Sequence, residues 1–423
     1  MRVILFWLLV IGAALTGAVA SHAQAPDYRG IPDGFDYPAN KSAFERDRKA
    51  GNMTALRRHG WMLFAGLNQT TPNGEPIWRT WYRINEAFAP AGTPLAPQRD
   101  LTPQFLKPNQ RIDAGPTPDA PRDSALSFVL FNWENFNHIR AKKLFLKSGL
   151  DRINRKYRAA TPWDKRIIPP FPERAVSLKT LWWPAAGDGK TALPVWDNEP
   201  TQPLDDNNPF RTWKRVVAVD GTRQAAPDGE TADINFYDAA FPAARVVGLD
   251  RFYHMRVDEP MLTSIAANPD DGVRILIRKI LGRELKLGDY ILFLGFHVTT
   301  KEIDDWTWQT FWWHDRPSEG KYAEGRPNAV TGVWRNYLMS VVGDEVNPKE
   351  PDGSPVIGFN PWLENTFRGG TQSNCMNCHR RASHPRIAFL PVRRGAPDTV
   401  ADPAFKRGRL QTDFLWSIVD QAR

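Results

Sequence analysis

The two cysteines of the chain lie three positions apart, and a histidine follows the second one directly. They are Cys375, Cys378 and His379, within Cys-Met-Asn-Cys-His, and the 423 residues contain no further cysteine. Two thiols at this spacing reach the two vinyl groups of one porphyrin, and the next residue then falls beneath the iron. The pattern predicts one covalently attached haem c, with the thiols of Cys375 and Cys378 as attachment points and His379 as the proximal iron ligand.

Two other kinds of site use closely spaced cysteines. A zinc site needs about four ligands, and the sequence has no second C-x-x-C pair. A thioredoxin-like redox disulfide should open a helix inside a βαβ unit, which this region does not resemble. Haem attachment is therefore the favoured interpretation of the motif.

The residue on the opposite side of the iron decides what the haem does. Methionine or histidine there gives electron transfer, and an open position permits small-molecule chemistry. Met376 is the last methionine, so a second ligand comes from upstream, from His384 close to the motif, or is missing. His297 and His314 are the histidine candidates, because both lie on an aromatic-rich hairpin. The other candidates are Met339 and Met255, whereas structural roles are expected for His59, His138 and His254.

The first residues predict export. One arginine, an apolar run from Val3 to Ala20 and small residues up to Ala23 describe a secretory signal peptide of residues 1–23. An N-terminal membrane anchor is the alternative, since about 18 apolar residues just span a bilayer. We expect a periplasmic protein with no stable membrane span after signal removal.

The charge pattern indicates the kind of partner. The formal net charge is +8, and basic residues are scattered along the chain, which favours an acidic partner over nucleic acid. Basic residues are dense after the motif: Arg380, Arg381, Arg386, Arg393, Arg394, Lys406, Arg407 and Arg409. One or two should pair with haem propionates. The rest either guide an acidic redox partner protein or form an ordinary solvated face.

Hydrophobic periodicity and turn residues predict the elements that position the motif. The first helix is expected over Lys41–Leu67, with Ser42 as its cap and a break at Gly51. The other expected elements are a helix over 126–158, strands over 175–182, 213–219 and 245–257, a hairpin of 290–298 and 306–313, a short helix over 361–368, a final helix over 403–422, and a proline-rich loop over 89–123.

These elements predict an α+β fold: a β-sheet core with short helices and extensive loops, against which the C-terminal haem segment packs. Residues 24–284 would form an N-terminal α+β region and residues 285–423 a haem-binding region, or the two would form one continuous unit. The 17 tryptophans are expected mostly in the core.

The chain resembles a group of uncharacterised bacterial single-haem c-type cytochromes with a long N-terminal part. The similar features lie within residues 290–423: Phe296-His297-Val298, Trp306–Phe311, His314, the haem motif after Gly369-Gly370-Thr371, and Thr412–Trp416. The resemblance implies haem binding and electron transfer, without a defined substrate or distal ligand.

Three functions fit these observations. The first is a periplasmic electron carrier, or the haem subunit of a dehydrogenase system. The second is a haem enzyme of peroxidase or oxygenase type with an open distal site, which the large size of the chain favours. The third is a haem-based sensor. A single C-x-x-C-H motif argues against the internal electron relay that multi-haem peroxidases use.

Overall fold

The computed structural model describes residues 30–94, 101–105, 125–197, 213–269, 271–342, 358, 360–364, 375–386 and 408–423. The predicted signal peptide, Gly369-Gly370-Thr371, most of the proline-rich loop and four of the basic residues (Arg393, Arg394, Lys406 and Arg407) lie outside these ranges. Within them, no helix is both long and apolar enough to cross a membrane.

The described helices are short. They are α1 (Lys41–Lys49), α2 (Met53–Leu67), α3 (Ile84–Ala87), α4 (Trp133–Ala141), α5 (Lys147–Asn154), α6 (Glu259–Ala266), α7 (Asp271–Leu281), α8 (Pro361–Glu364), α9 (Cys375–His379) and α10 (Trp416–Gln421). Single 3₁₀ turns cover Ile77–Thr80, Trp163–Lys165, Leu249–Arg251, Lys321–Ala323 and Gly332–Asn336.

The strands form three sheets in the described part of the chain. They are β1 (Tyr82–Arg83), β2 (Val129–Phe131), β3 (Val176–Ala185), β4 (Lys190–Val195), β5 (Arg215–Asp220), β6 (Thr231–Phe236), β7 (Ala239–Val247), β8 (His254–Arg256), β9 (Tyr290–Thr300), β10 (Thr307–Trp313), β11 (Tyr337–Val342), β12 (Ser383–His384) and β13 (Leu410–Gln411). The main sheet has the order β1-β2-β3-β9-β10-β11, with β8 also paired to β9. A second sheet has the order β4-β5-β7-β6, and β12 pairs with β13.

The main sheet is antiparallel and takes strands from both sides of residue 284. Its two central strands are β3 and β9, in which Lys179 lies opposite His297. The hairpin of β9 and β10 places His297 opposite Thr310, and β11 adds Ser340 opposite Thr310. Because successive side chains alternate between faces, these four polar residues share one face of the sheet.

The other face of the sheet, called the apolar face, carries mostly apolar side chains together with Gln309, Thr180 and Thr300. Phe296 and Phe311, which point away from the polar row, are fully buried under α2. The Phe64 ring of α2 stacks on Phe311 with 4.3 Å between centroids. A β-carbon on Gly60 would meet Gln309 and Met339, so this glycine lets α2 approach the sheet closely.

Several predictions are confirmed. The fold is α+β with short helices and long connections. The predicted first helix is broken at Gly51, whose φ of +66° turns the chain between α1 and α2. The strands β3 and β5 lie where the alternation placed them, and the aromatic hairpin lies where the apolar and aromatic runs placed it. Tryptophans are prominent among the fully buried side chains, as expected.

Four expectations about elements need correction. Asn40, not Ser42, caps α1, since its side chain accepts from the amide of Ala43. The region 245–257 contains the end of β7, a 3₁₀ turn and β8 rather than one strand. The region 126–158 starts with the strand β2, and only then do α4 and α5 follow. The buried run before Asn132 imitates a helical face because both sides of β2 are covered.

The fourth correction concerns the C-terminal tail. Leu410 belongs to a short strand, Asp413 and Phe414 have left-handed backbones, and the helix begins only at Trp416. Two successive positive φ values cannot continue a right-handed helix. Of the expected helix 361–368, the described part is α8.

Candidate functional site

The motif forms the short helix α9, and its cysteines are reduced. Neither Cys375 nor Cys378 is in a disulfide. The amide and the thiol of Cys375 both donate to the carbonyl oxygen of Gly358, at 3.1 and 2.6 Å. The indole of Trp416 donates to the carbonyl oxygen of Cys378 at 3.3 Å, which ties α10 to the motif.

Burial keeps both thiols protonated. It raises the pKa of Cys375 well above its ordinary value and the pKa of Cys378 to about 12. Redox-active cysteine pairs of the thioredoxin type have lowered pKa values, because the thiolate is the nucleophile. The electrostatic setting therefore does not favour a redox disulfide at this motif.

The imidazole of His379 has a fixed tautomer. Its Nδ1 lies 2.8 Å from the carbonyl oxygen of Phe414. A carbonyl only accepts, so Nδ1 must carry the proton and Nε2 must hold a lone pair. Burial also lowers the pKa of His379 to about 4, which keeps the ring neutral near pH 7. A neutral imidazole with an unprotonated Nε2 is the form that ligates a metal.

The ring of His379 lies against the polar face of the main sheet. Its centroid is 4.6 Å from the Trp308 ring of β10. Trp308 and Thr310 point to the same face, since they are two residues apart on one strand. The motif is thus packed on the face that carries Lys179 and His297, as the sequence predicted for the haem segment.

His297 is the distal candidate that lies beside the motif. A positive charge on His297 lowers the pKa of His379. The Nε2 of His297 is 2.7 Å from Oε1 of Glu364 in α8. Its Nδ1 is buried without a hydrogen-bond partner among the described residues. Asn360 holds α8 in place, because its side chain caps the helix and donates to Thr310 Oγ1 at 2.9 Å.

Lys179 completes this polar environment. It is next to His297 across the strands, and burial lowers its pKa. The charges of Glu364, Cys378 and Asp420 raise that pKa and so oppose the effect of burial. Lys179, His297, Cys378 and His379 are half-buried.

The structure places the other candidates away from the motif. Both ring nitrogens of His314 are used, by the carbonyl oxygen of Trp196 and the amide of Arg316. His314 follows β10 six residues after Trp308, which is about 20 Å along an extended strand. His384 bonds Asp151 at 2.7 Å.

The two methionine candidates lie on other strands. Met339 is on the apolar face, where it packs near Gly60 of α2. Met255 is on the edge strand β8, opposite Ile291.

The remaining histidines have the structural roles expected from the sequence. His59 bonds the buried carboxylate of Glu302 at 3.1 Å, His138 bonds the carbonyl oxygen of Pro169 at 2.9 Å, and His254 bonds that of Phe252 at 3.1 Å. Each contact satisfies a ring nitrogen locally.

Some of the described basic residues after the motif are buried or bonded to other parts of the protein. Arg381 is buried, Arg386 pairs with Asp420 at 2.8 Å, and Arg409 donates to the carbonyl oxygen of Pro385. The prediction that some of these residues meet haem propionates or a redox partner stays a prediction.

Several residues of the site were not singled out from the sequence. They include Lys179, Asn360 and Glu364, which bonds His297. Lys301 and Asp413, which form a buried ion pair at 2.7 Å next to Phe414, were missed as well. Thr412–Trp416 was noted only as a point of resemblance.

Among the described residues, no group of three or more histidine, cysteine, aspartate or glutamate side chains is arranged to hold a bare metal ion. Comparisons of the chain with protein-family models, with curated proteins and with solved structures returned no match.

Proposed function

We propose that this protein is an exported, periplasmic c-type cytochrome that exchanges electrons with a redox partner protein. One haem c would be bound through Cys375 and Cys378, with His379 as the proximal ligand. The observation that carries the proposal is the hydrogen bond from Nδ1 of His379 to the carbonyl oxygen of Phe414. It leaves Nε2 of the residue after the second cysteine unprotonated, so that Nε2 could bind the iron if a haem were attached.

The side chains present suit this group. The two thiols are free and protonated, so both can add to vinyl groups. A bound haem would supply an iron that gains and loses one electron. Trp308 packs on the His379 ring and limits its rotation, and the α9 helix with Trp416 keeps the attachment residues on one short element.

The sixth ligand in this proposal is His297. It lies beside His379 and has an unpartnered ring nitrogen among the described residues, whereas both nitrogens of His314 are occupied. A histidine in this position would give a low-spin haem suited to electron transfer.

One observation favours a second candidate, a haem enzyme or sensor with an open distal site. Glu364 holds Nε2 of His297 at 2.7 Å, which makes the pair a candidate acid–base group beside the haem rather than a ligand. The two functions differ in whether an external ligand reaches the iron.

Haem attachment is tested by expressing the chain with a haem-maturation system and staining a denaturing gel for covalent haem. The wild-type protein should stain, and the double variant Cys375→Ala/Cys378→Ala should not. Met376→Leu is the matched control, because Met376 is buried in the same helix. A wild-type band without stain would overturn the proposal.

The visible spectrum then separates the two functions. A low-spin spectrum that carbon monoxide leaves unchanged is expected for the carrier, since His297 would occupy the sixth position. A high-spin spectrum that shifts with carbon monoxide would overturn the carrier and support the enzyme or sensor.

A further inference from the structure

The Phe414 carbonyl that accepts from His379 belongs to a turn with an unfavourable backbone. Asp413 and Phe414 have φ values of +49° and +67°, and the amide of Leu415 donates to the Thr412 carbonyl oxygen at 3.1 Å. Two successive left-handed residues describe a type I′ turn, which favours Asn-Gly. A phenylalanine in this conformation is an outlier that its surroundings must hold in place.

The side chain of Asp413 anchors this turn from inside the protein. It is fully buried, and its Oδ1 accepts from Lys301 Nζ at 2.7 Å and from Trp306 Nε1 at 3.2 Å. Its Oδ2 accepts from the amide of Phe171 at 3.3 Å. The carboxylate therefore joins the C-terminal turn to the loop between β9 and β10 and to the segment before β3.

Lys301 is equally well held. Only 7% of its side chain is exposed, and its Nζ also donates to the carbonyl oxygen of Asp304 at 2.7 Å. The cation lies over the Trp306 ring at 5.5 Å. Removing either charge of such a buried pair leaves the other one uncompensated, so the pair acts as one unit.

We propose that the Lys301–Asp413 ion pair positions the proximal ligand, by holding the Phe414 carbonyl oxygen at the Nδ1–H of His379. The inference rests on the proposed haem site and names the residues that tune it. The hydrogen bond fixes the tautomer and raises the basicity of Nε2, which stabilises ferric iron more than ferrous iron. Lys301 and Asp413 are positioning residues that do not touch the haem ligand themselves.

The test is the midpoint potential of the haem protein in Lys301→Met and Asp413→Asn, measured by spectroelectrochemistry. Both variants let the turn relax and weaken the hydrogen bond. The ferrous form should then become more stable relative to the ferric form, and the midpoint potential should rise. Trp306→Phe, which removes one donor to Asp413, should give a smaller shift in the same direction and is available if a charge variant does not fold.

Asp289→Asn is the matched control. Asp289 is also fully buried, pairs with Arg283 at 2.6 Å and accepts from the amides of Gly187 and Lys286. It precedes His297 by eight residues, about 25 Å along β9. This variant should lower the unfolding temperature as Asp413→Asn does, yet leave the potential unchanged.

A rescue distinguishes positioning from general stability. Phe414→Gly keeps the carbonyl and adopts a positive φ without strain. Added to Asp413→Asn, it should restore the wild-type potential, although the lost phenyl ring lowers the unfolding temperature further. A potential that follows the unfolding temperature in all variants would overturn the inference.

A readout without haem separates this inference from the proposed function. In Cys375→Ala/Cys378→Ala, ¹⁵N NMR should show His379 in the Nδ1–H tautomer, and added Asp413→Asn should give a mixture. If the wild-type chain binds no haem, the proposed function fails while the tautomer result still decides the positioning role. An unchanged tautomer in the Asp413→Asn protein would overturn that role.

Discussion

The two faces of the main sheet are built from alternate residues of the same strands, yet they differ in character. Toward α2, Phe296 and Phe311 pack with Phe64 in a fully buried aromatic cluster. Toward α9, Lys179, His297 and Thr310 form a polar row. The first face has the close packing that stabilises a fold. The second keeps charged and half-buried groups, which are costly in a core and are typical of functional sites.

Strand alternation therefore separates the residues that stabilise the fold from the residues of the candidate site. A substitution at one position therefore tests one face, and its neighbour in sequence tests the other. The variants below use this separation, beginning with the largest expected effect.

Phe311→Ala should destabilise the protein without changing the spectrum of the proposed haem. The ring is fully buried, stacks on Phe64 at 4.3 Å and contacts Phe296 at 5.5 Å. Its loss should lower the free energy of unfolding by about 4 kcal/mol, measured by urea denaturation. Phe311→Leu is the control and should cost less. A changed haem spectrum at neutral pH in the folded variant would contradict the separation of the faces.

Asp420→Asn should stabilise the protein at neutral pH. Burial raises the pKa of Asp420 to about 6, so the folded state favours the protonated carboxyl more than the unfolded state does. Stability from this group is present at low pH and is lost as the pH rises through about 6. The gain in unfolding free energy should be about 3 kcal/mol at pH 7 and near zero at pH 3.

The control for that prediction is its partner. Arg386 has 37% of its side chain exposed, so Arg386→Met should change stability by less than about 1 kcal/mol. Equal stability of wild-type protein and Asp420→Asn from pH 3 to 7 would show that the carboxyl does not titrate as described.

His297→Ala should change the spectrum of the proposed haem with only a small effect on stability. The variant leaves Glu364 without its bond to the imidazole, which should cost about 1 kcal/mol. If His297 ligates the iron, the low-spin spectrum should become high-spin and sensitive to carbon monoxide. His254→Ala on β8 is the control, and an unchanged spectrum in His297→Ala would exclude the residue as a ligand.

Local patterns predicted much of the main sheet. The continuous apolar run of Tyr290 to Val298 and the aromatic run to Trp313 predicted the hairpin, and Gly51 predicted the break between α1 and α2. The predictions were wrong where packing against other parts of the fold altered the hydrophobic pattern of the sequence. The segment of β2 was predicted to be helical because both of its sides are buried. The tail was predicted to be one helix because its apolar spacing continues through the turn at Asp413.

The sequence by itself determined the Cys-x-x-Cys-His motif on which the haem proposal rests, since Cys375, Cys378 and His379 are close along the chain. It could not choose between His297 and His314, which are similar residues of one hairpin. Which of the two histidines lies beside the motif depends on the segments that pack against each imidazole ring. The anchoring of His379 was equally out of reach. It relies on a carbonyl 35 positions away and on a lysine 112 positions from its aspartate, contacts that only the folded chain creates.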